Sequence, residues 1–220
     1  MFPFITGIAP CSRRQCLYLA MLAFIALSIL IPVDSLVFKM LLPLSDSSLG
    51  TLWAHTADLL GNGLLLYPAA LVALLFLPTR ASRRKGFREA VALFALAGLA
   101  GQVFKFLIGR PRPGMGLEAW DLNAFSLSSD FHSFPSGHTV TAFSVALVLC
   151  YYFPRYRSWW IGLALFISIG RLVGQSHFLT DIAAGILISC FAAELVFVHD
   201  IQGFLHSASS KGGELKADNV

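Results

Sequence analysis

Residues 89–113 read EAVALFALAGLAGQVFKFLIGRPRP. The part from 89 to 108 is almost entirely apolar, and at ~1.5 Å per residue a helix of about 20 residues crosses the ~30 Å hydrocarbon core of a bilayer. The segment therefore predicts a transmembrane helix. Lys105 lies inside the run, and Arg110 and Arg112 follow it, each directly before a proline. Charges at such a position are costly and are candidates for function.

The composition of the whole chain agrees with a membrane protein. Of the 220 residues, 56% are hydrophobic and only 13% are charged, and the mean hydropathy is +0.72, whereas about a quarter of the residues of soluble domains are charged. We therefore predict an all-α, polytopic membrane protein with six transmembrane helices in a bundle. The predicted spans are 15–33, 57–78, 89–108, 139–153, 159–175 and 181–199. Segment 35–50 is apolar but too short and broken to span, and we interpret it as interfacial.

The distribution of cations predicts the orientation. Basic residues precede the first span, fill 80–88, separate the fourth and fifth spans at Arg155 and Arg157, and recur in the tail. With six spans these segments share one side, which the positive-inside rule makes the cytoplasm. Both termini are then cytoplasmic, and the net charge of +4 requires no nucleic-acid partner. We expect residues 1–200 to form one membrane domain with a retained first helix, and 201–220 to form a polar cytoplasmic tail.

The remaining polar residues gather at the predicted outer end of the bundle. Lys105 and Arg171 lie near the outer ends of spans three and five, and Arg112 follows span three. Ammonium and guanidinium groups match the oxygens of phosphate, and the amino end of span four, at Ser136 and Gly137, favours an anion through the helix dipole. These five residues, Lys105, Arg112, Ser136, Gly137 and Arg171, form the predicted phosphate pocket.

Two histidines lie at the same level and have the chemistry of a catalyst. Asp181 follows His177 by four residues, so one helical turn would let the carboxylate fix the imidazole tautomer and leave the other nitrogen free to attack phosphorus. His138 would then protonate the departing alcohol and later activate water.

The motifs, taken together and in this order, resemble the type 2 phosphatidic acid phosphatase superfamily. Lys105 to Pro113 matches K-x6-R-P, residues 135–138 match P-S-G-H, and Arg171 to Asp181 matches R-x5-H-x3-D. The resemblance implies a metal-independent and cofactor-free phosphatase. It also implies specific roles: His177 as nucleophile, Asp181 as its orienting partner, His138 as general acid and base, and Lys105, Arg112 and Arg171 as phosphate ligands, with Ser136 and Gly137 assisting. Gly170 departs from the family, which usually has a serine before this arginine.

Residues beside the motifs have simpler interpretations. We interpret Arg110 as a contact at the rim of the site or with lipid head groups, because the motif assigns the phosphate to Arg112. His55 and Asp58, at the outer start of span two, could support the site, but helix capping is the favoured interpretation.

Two other classes of function fit part of the pattern. His138, His177 and Asp181 could form a two-histidine, one-carboxylate metal site, although the surrounding cations would repel a metal ion. A transporter or lipid-binding protein could hold an anion in the same pocket without hydrolysis, but it would leave His177 and Asp181 without a role.

The predicted topology indicates the substrate class. The site opens at the outer, periplasmic face of a bacterial inner membrane, at the depth of lipid head groups, so a phospholipid or glycolipid phosphate can reach it by lateral diffusion. We predict removal of phosphate from lipid A or phosphatidylglycerol phosphate, with undecaprenyl diphosphate as the alternative substrate.

Overall fold

The computed structural model describes residues 33–197, and all regular secondary structure in this part of the chain is helical. The α-helices are α1 (33–45), α2 (Ser48–Leu60), α3 (Gly63–Leu74), α4 (Arg80–Ile108), α5 (Gly137–Tyr152), α6 (Arg157–Val173) and α7 (Leu179–Phe197). Short 3-10 helices occur at Pro113–Met115, Ser129–Phe131 and Pro154–Tyr156. The all-α prediction is confirmed.

Two described helices, α4 and α7, are long and apolar enough to cross a membrane. Helices α2 and α3 pass the same test only as a pair, bent by 59° at their junction, and α5 is apolar but has 16 residues. The described part of the chain therefore contains two candidate spans, or three with the bent pair. The first predicted span, apart from residue 33, and the predicted tail lie outside the described residues, and the count of six stays a prediction.

The second predicted span, 57–78, is not one continuous helix with these bounds but part of the bent pair α2 and α3, and its crossing of the membrane stays a prediction. Helix α2 begins at Ser48, inside the segment interpreted as interfacial, and ends at Leu60, with Gly61 as its C-cap. Asn62 then caps α3, because its side-chain oxygen accepts a hydrogen bond from the N–H of Leu64 at 2.9 Å. A side chain at Gly61 would lie 2.6 Å from the ring of His138, so the junction packs closely against the start of α5.

Helix α4 begins nine residues before its predicted start, at Arg80 instead of residue 89. Thr79 and Ser82 form a reciprocal capping box, so the basic run 80–88 forms the first turns of the helix and not a loop. The helix ends at Gly109, which has φ 60° and ψ 47° and whose N–H donates to the carbonyl of Lys105 at 2.9 Å. This left-handed glycine ends the helix before either proline.

Helix α5 is the central helix of the described bundle. Its buried residues pack against α3 and α4 through Val148 and Leu149, against α6 through Ala142 and Ala146, and against α4 and α7 through Val140. The N-terminus of α5 therefore lies between the C-terminal end of α4 and the connection from α6 to α7. All three motifs reach this end of the bundle.

Candidate active site

The three motif segments meet around the first turn of α5. The ammonium nitrogen of Lys105, in the last turn of α4, is 3.3 Å from the position that a Cβ of Gly137 would occupy. The N–H of Ser136 donates to the carbonyl of Asp181 at 3.1 Å, which joins the start of α5 to the start of α7. Residues from α4, α5 and α7 are thus brought together although the sequence separates them widely.

Ser136 serves the structure as the N-cap of α5. Its hydroxyl oxygen accepts hydrogen bonds from Thr139 Oγ1 at 3.1 Å and from the Thr139 N–H at 3.4 Å, and the residue is fully buried. Gly137 begins the helix, where the macrodipole favours an anion. A direct contact of Ser136 or Gly137 with phosphate stays a prediction.

The loop after α4 folds back on itself and positions Arg112. The N–H of Arg112 donates to the carbonyl of Asp130 at 2.9 Å, and its Nε donates to the carbonyl of Ser129 at 3.2 Å. The N–H of Ser133 donates to the carbonyl of Arg110 at 3.0 Å. These bonds fix the backbone at Arg110 and Arg112, and among residues 33–197 no hydrogen bond holds the two terminal nitrogens of Arg112.

His177 lies in the connection between α6 and α7 and is buried. Its Nδ1 is 2.8 Å from the carbonyl oxygen of Ser133 and 3.5 Å from Oδ2 of Asp181. Because a carbonyl only accepts, Nδ1 carries the proton and Nε2 keeps its lone pair. Burial lowers the pKa of His177, and the nearby Arg112 and Arg171 lower it further, whereas Asp181 raises it. The imidazole is therefore neutral at pH 7.

Asp181 is linked to His177 mainly through Ser133, which contacts both residues. Its Oδ2 accepts from Ser133 Oγ at 2.5 Å and from the N–H of Phe178 at 2.8 Å, and its Oδ1 accepts from Arg110 Nη1 at 2.6 Å. Ser133 thus contacts Asp181 through its hydroxyl and His177 through its carbonyl. The nearest acceptor of His177 Nδ1 is this carbonyl and not the carboxylate that the motif predicted.

Arg110 is buried, with 5% of its side chain exposed, so its interpretation as a rim contact was wrong. Its Nη1 donates to Asp181 and to Thr180 Oγ1, both at 2.6 Å, and its Nη2 donates to Asp34 Oδ2 at 2.7 Å. The guanidinium also lies 4.2 Å from the ring centroid of Phe178. Asp34 and Asp181 need a counter-charge because both are buried, and Arg110 supplies it to both.

Arg171 and His138 share a partner that belongs to none of the motifs. Arg171 Nη1 donates to Oδ1 of Asp58, and His138 Nε2 lies 3.2 Å from the same oxygen and 3.2 Å from the carbonyl of Asp58. Arg171 Nε is buried and has no hydrogen-bond partner among residues 33–197. The capping interpretation of Asp58 was wrong, since Ser47 and Gly61 cap α2.

The alternative metal site is not formed in the described part of the chain. No three His, Cys, Asp or Glu side chains among residues 33–197 lie close enough to share a metal ion. Both carboxylate oxygens of Asp181 are already occupied by the donors of Arg110, Ser133 and Phe178.

Comparisons with known proteins identify the family of the chain. A family model described as the PAP2 superfamily matches residues 87–201, just over half of the chain. A protein of Rhizobium johnstonii named lipid A 1-phosphatase is 36% identical over 110 residues, which are 46% of this chain and 43% of that protein. The chain thus matches less than half the length of this relative.

A second relative and a solved structure extend the likeness. The bacitracin transport permease protein BcrC of Bacillus licheniformis is 29% identical over 135 residues, which are 60% of this chain and 65% of that protein. The crystal structure of a PAP2 type phosphatidylglycerolphosphate phosphatase from Bacillus subtilis superposes with a TM-score of 0.64 and 21% identity, over 84% of this chain and 96% of the other. At this identity the superposition shows a shared fold.

Proposed function

The chain belongs to the PAP2 superfamily, and we propose that it is a membrane lipid phosphatase that removes phosphate through a phosphohistidine intermediate. One observation carries the proposal: the carbonyl of Ser133 holds Nδ1 of the buried His177 and so leaves Nε2 for attack, and at the same end of the bundle Arg171 Nε is a buried donor without a hydrogen-bond partner among residues 33–197. A nucleophile beside unpaired cationic donors is suited to phosphoryl transfer.

The cations of the phosphate pocket would bind the substrate and stabilise the transition state. Lys105 contributes a point charge beside Gly137, Arg112 contributes its terminal nitrogens, and Arg171 contributes Nε. Charge-assisted hydrogen bonds of this kind are about twice as strong as neutral ones, and they strengthen as negative charge builds on the transferring group.

In the first step, Nε2 of His177 attacks phosphorus. A nitrogen–phosphorus bond forms, the bond from phosphorus to the lipid oxygen breaks, and His138 gives its proton to that oxygen so that the lipid leaves as an alcohol. Ser133 and Asp181 hold the His177 ring for this attack by fixing its Nδ1–H.

In the second step, the neutral His138 accepts a proton from water. The water oxygen attacks phosphorus, the nitrogen–phosphorus bond breaks, and His177 is restored as inorganic phosphate leaves. His138 regains its proton and is ready to act as the acid again.

The cation distribution supports a pocket at the periplasmic face of the bacterial inner membrane, with six spans and both termini in the cytoplasm. The basic run 80–88 begins α4, Arg157 begins α6, and Arg155 lies in the 3-10 helix directly before it. These helix starts are at the end of the bundle opposite to Lys105 and Arg171, as the positive-inside rule requires.

The proposed substrate is lipid A or phosphatidylglycerol phosphate. The name of the Rhizobium johnstonii relative supports the first, and the fold shared with the Bacillus subtilis enzyme is compatible with the second. The transporter alternative takes its support from the name of the Bacillus licheniformis relative.

Phosphate release by the purified protein in detergent tests the proposal. The wild type and His177→Ala are compared on lipid A, phosphatidylglycerol phosphate, phosphatidic acid and undecaprenyl diphosphate, each with EDTA. Each lipid is also assayed without EDTA. We expect wild-type release that EDTA does not affect and that the substitution abolishes, and the fastest lipid identifies the substrate. Lipid binding without release would favour the transporter, and release that EDTA abolishes would favour a metal-dependent enzyme.

A further inference from the structure

Asp58 connects two residues of the site although no motif contains it. It lies in the last turn of α2, and its Oδ1 accepts from Arg171 Nη1 and lies 3.2 Å from His138 Nε2. The carbonyl of the same residue is also 3.2 Å from His138 Nε2. Although 58% of the Asp58 side chain is exposed, its carboxylate joins the proposed phosphate ligand Arg171 to the proposed general acid His138.

The approach of α2 to α6 depends on Gly170, where the family usually has serine. A Cβ at Gly170 would lie 2.3 Å from the Cβ of Ala57 and 3.0 Å from the ring of Trp53. Trp53 also donates its Nε1–H to the carbonyl of Phe166 at 3.0 Å, which holds α2 against α6. Since Ala57 precedes Asp58, any side chain at residue 170 would displace the turn that carries the carboxylate.

We propose that Asp58 is a positioning residue for the phosphatase reaction, and that Gly170 is the feature of this chain that brings it into place. The proposal rests on the phosphatase function proposed above. Asp58 acts through His138 and Arg171 and does not itself contact the reacting atoms.

The contacts of Asp58 assign the reacting atom of His138. A carboxylate and a carbonyl only accept, so His138 Nε2 carries a proton and Nδ1 is the atom that exchanges a proton with the substrate. Burial lowers the pKa of His138 to about 4, and Arg171 and His177 lower it as well, whereas Asp58 opposes this shift through its carboxylate and its carbonyl. Asp58 therefore increases the fraction of imidazolium that can protonate the leaving oxygen at Nδ1.

The same contact orients Arg171. Its Nη1 is held by Asp58, and its Nε is left as the buried donor without a partner among residues 33–197. A guanidinium fixed by one nitrogen presents the others in a defined plane, which favours phosphate over other anions.

The dependence of kcat/KM on the leaving group distinguishes a positioning role of Asp58 from a purely structural one. We compare kcat/KM of the wild type and Asp58→Asn on an alkyl phosphate, whose alkoxide must be protonated, and on p-nitrophenyl phosphate, whose leaving group departs without a proton. We expect Asp58→Asn to lose at least about tenfold more on the alkyl ester than on the aryl ester, as His138→Ala should, because general acid catalysis contributes about 10²- to 10⁴-fold. In Asp58→Asn, a rapid burst of p-nitrophenol should precede slow turnover of p-nitrophenyl phosphate. The first step then needs no acid, whereas hydrolysis of the phosphohistidine still needs His138 as the base.

Two further variants distinguish a loss of the Asp58 carboxylate from a general folding defect. Asp58→Glu should recover part of the loss on the alkyl ester, and Asp46→Asn, at an exposed position between α1 and α2, should match the wild type. Equal losses by Asp58→Asn on both esters, or no loss, would overturn the inference while leaving the phosphatase proposal intact. A wild type that releases no phosphate from any ester would overturn both.

The role of Gly170 has its own matched control on the same helix. Gly170→Ala should reproduce the leaving-group pattern of Asp58→Asn, whereas Gly162→Ala, where a Cβ would meet nothing within 4 Å, should not. Ala57→Gly added to Gly170→Ala removes the closest clash and should restore most of the lost activity. Wild-type behaviour of Gly170→Ala would contradict the packing argument.

Discussion

Arg110 and Asp181, 71 residues apart in sequence, form a buried ion pair in which Nη1 of the guanidinium lies 2.6 Å from Oδ1 of the carboxylate. The pair joins the loop after α4 to the start of α7. Asp181 in turn holds Ser133, whose carbonyl fixes His177. A residue that no motif assigns to the chemistry therefore supports the position of the proposed nucleophile.

Arg110→Ala should destabilise the protein strongly. The substitution leaves Asp34 and Asp181 buried without their shared cation, and removing one partner of a buried ion pair typically costs about 3–5 kcal/mol. Thermal unfolding in detergent measures this. Arg112→Ala is the matched control, since Arg112 is only half-buried, and it should lose activity with little loss of stability. Equal melting temperatures of Arg110→Ala and the wild type would contradict the buried network.

His177 should stay neutral at pH values at which a free histidine is already protonated. Because burial lowers its pKa in the folded protein, protonation should begin only below the ordinary value of about 6.5. The neutral nucleophile should therefore persist at pH 6.5, whereas its contribution to stability, complete above this value, should be lost as the pH falls from about 6.5 through the lowered pKa. NMR titration of labelled histidines, with His177→Ala for assignment, measures this, and a midpoint at or above 6.5 would show that the prediction is wrong.

Vanadate should inhibit competitively, because its five-coordinate form resembles the transition state of phosphoryl transfer. Lys105→Ala and Arg112→Ala should weaken this inhibition at least about tenfold, the effect of losing a charge-assisted hydrogen bond. Inhibition constants measured against phosphate release provide the comparison. Arg155→Ala, at an exposed position at the opposite end of the bundle from Lys105 and Arg171, serves as the control and should leave the constant unchanged.

Gly109→Ala should destabilise the end of α4 more than Gly116→Ala destabilises the following loop. Both glycines have positive φ, 60° and 68°, but a Cβ at Gly109 would lie 1.8 Å from the carbonyl oxygen of Asn123, whereas a Cβ at Gly116 would meet nothing within 4 Å. The left-handed conformation alone costs about 1–2 kcal/mol for a residue with a Cβ, and Gly109→Ala adds a steric clash. Equal melting temperatures of the two variants would contradict this difference.

Much of the helical layout could be predicted because apolar run length sets helix length. Helices α5, α6 and α7 each begin two residues before their predicted starts, 139, 159 and 181. The start of α4 was missed because its capping box lies within a basic segment that resembles a loop. The bend at Gly61 was missed because it interrupts an apolar stretch without any polar signal except Asn62.

The motifs revealed the site because unpaired charges at the end of a membrane bundle need partners. They could not distinguish the environments of Arg110 and Arg112, which alternate with two prolines in one short segment. Arg110 is the buried one of the two because its guanidinium pairs with Asp34 and Asp181, which lie far away in the sequence. The sequence did contain a sign of the role of Asp34, since a carboxylate in an apolar segment needs a buried cation as its partner. For Asp58 the sign was its predicted position at the same membrane level as the outer cations.

The central claim is that phosphate passes through His177, and direct detection of the phosphorylated residue tests it. His138→Ala is mixed with radiolabelled p-nitrophenyl phosphate, quenched in base on the millisecond-to-second timescale, digested and sequenced. We predict an acid-labile, base-stable label on the peptide that contains His177, and none when His177→Ala is added. Release of p-nitrophenol with no label on His177, or turnover by His177→Ala at the wild-type rate, would contradict the account.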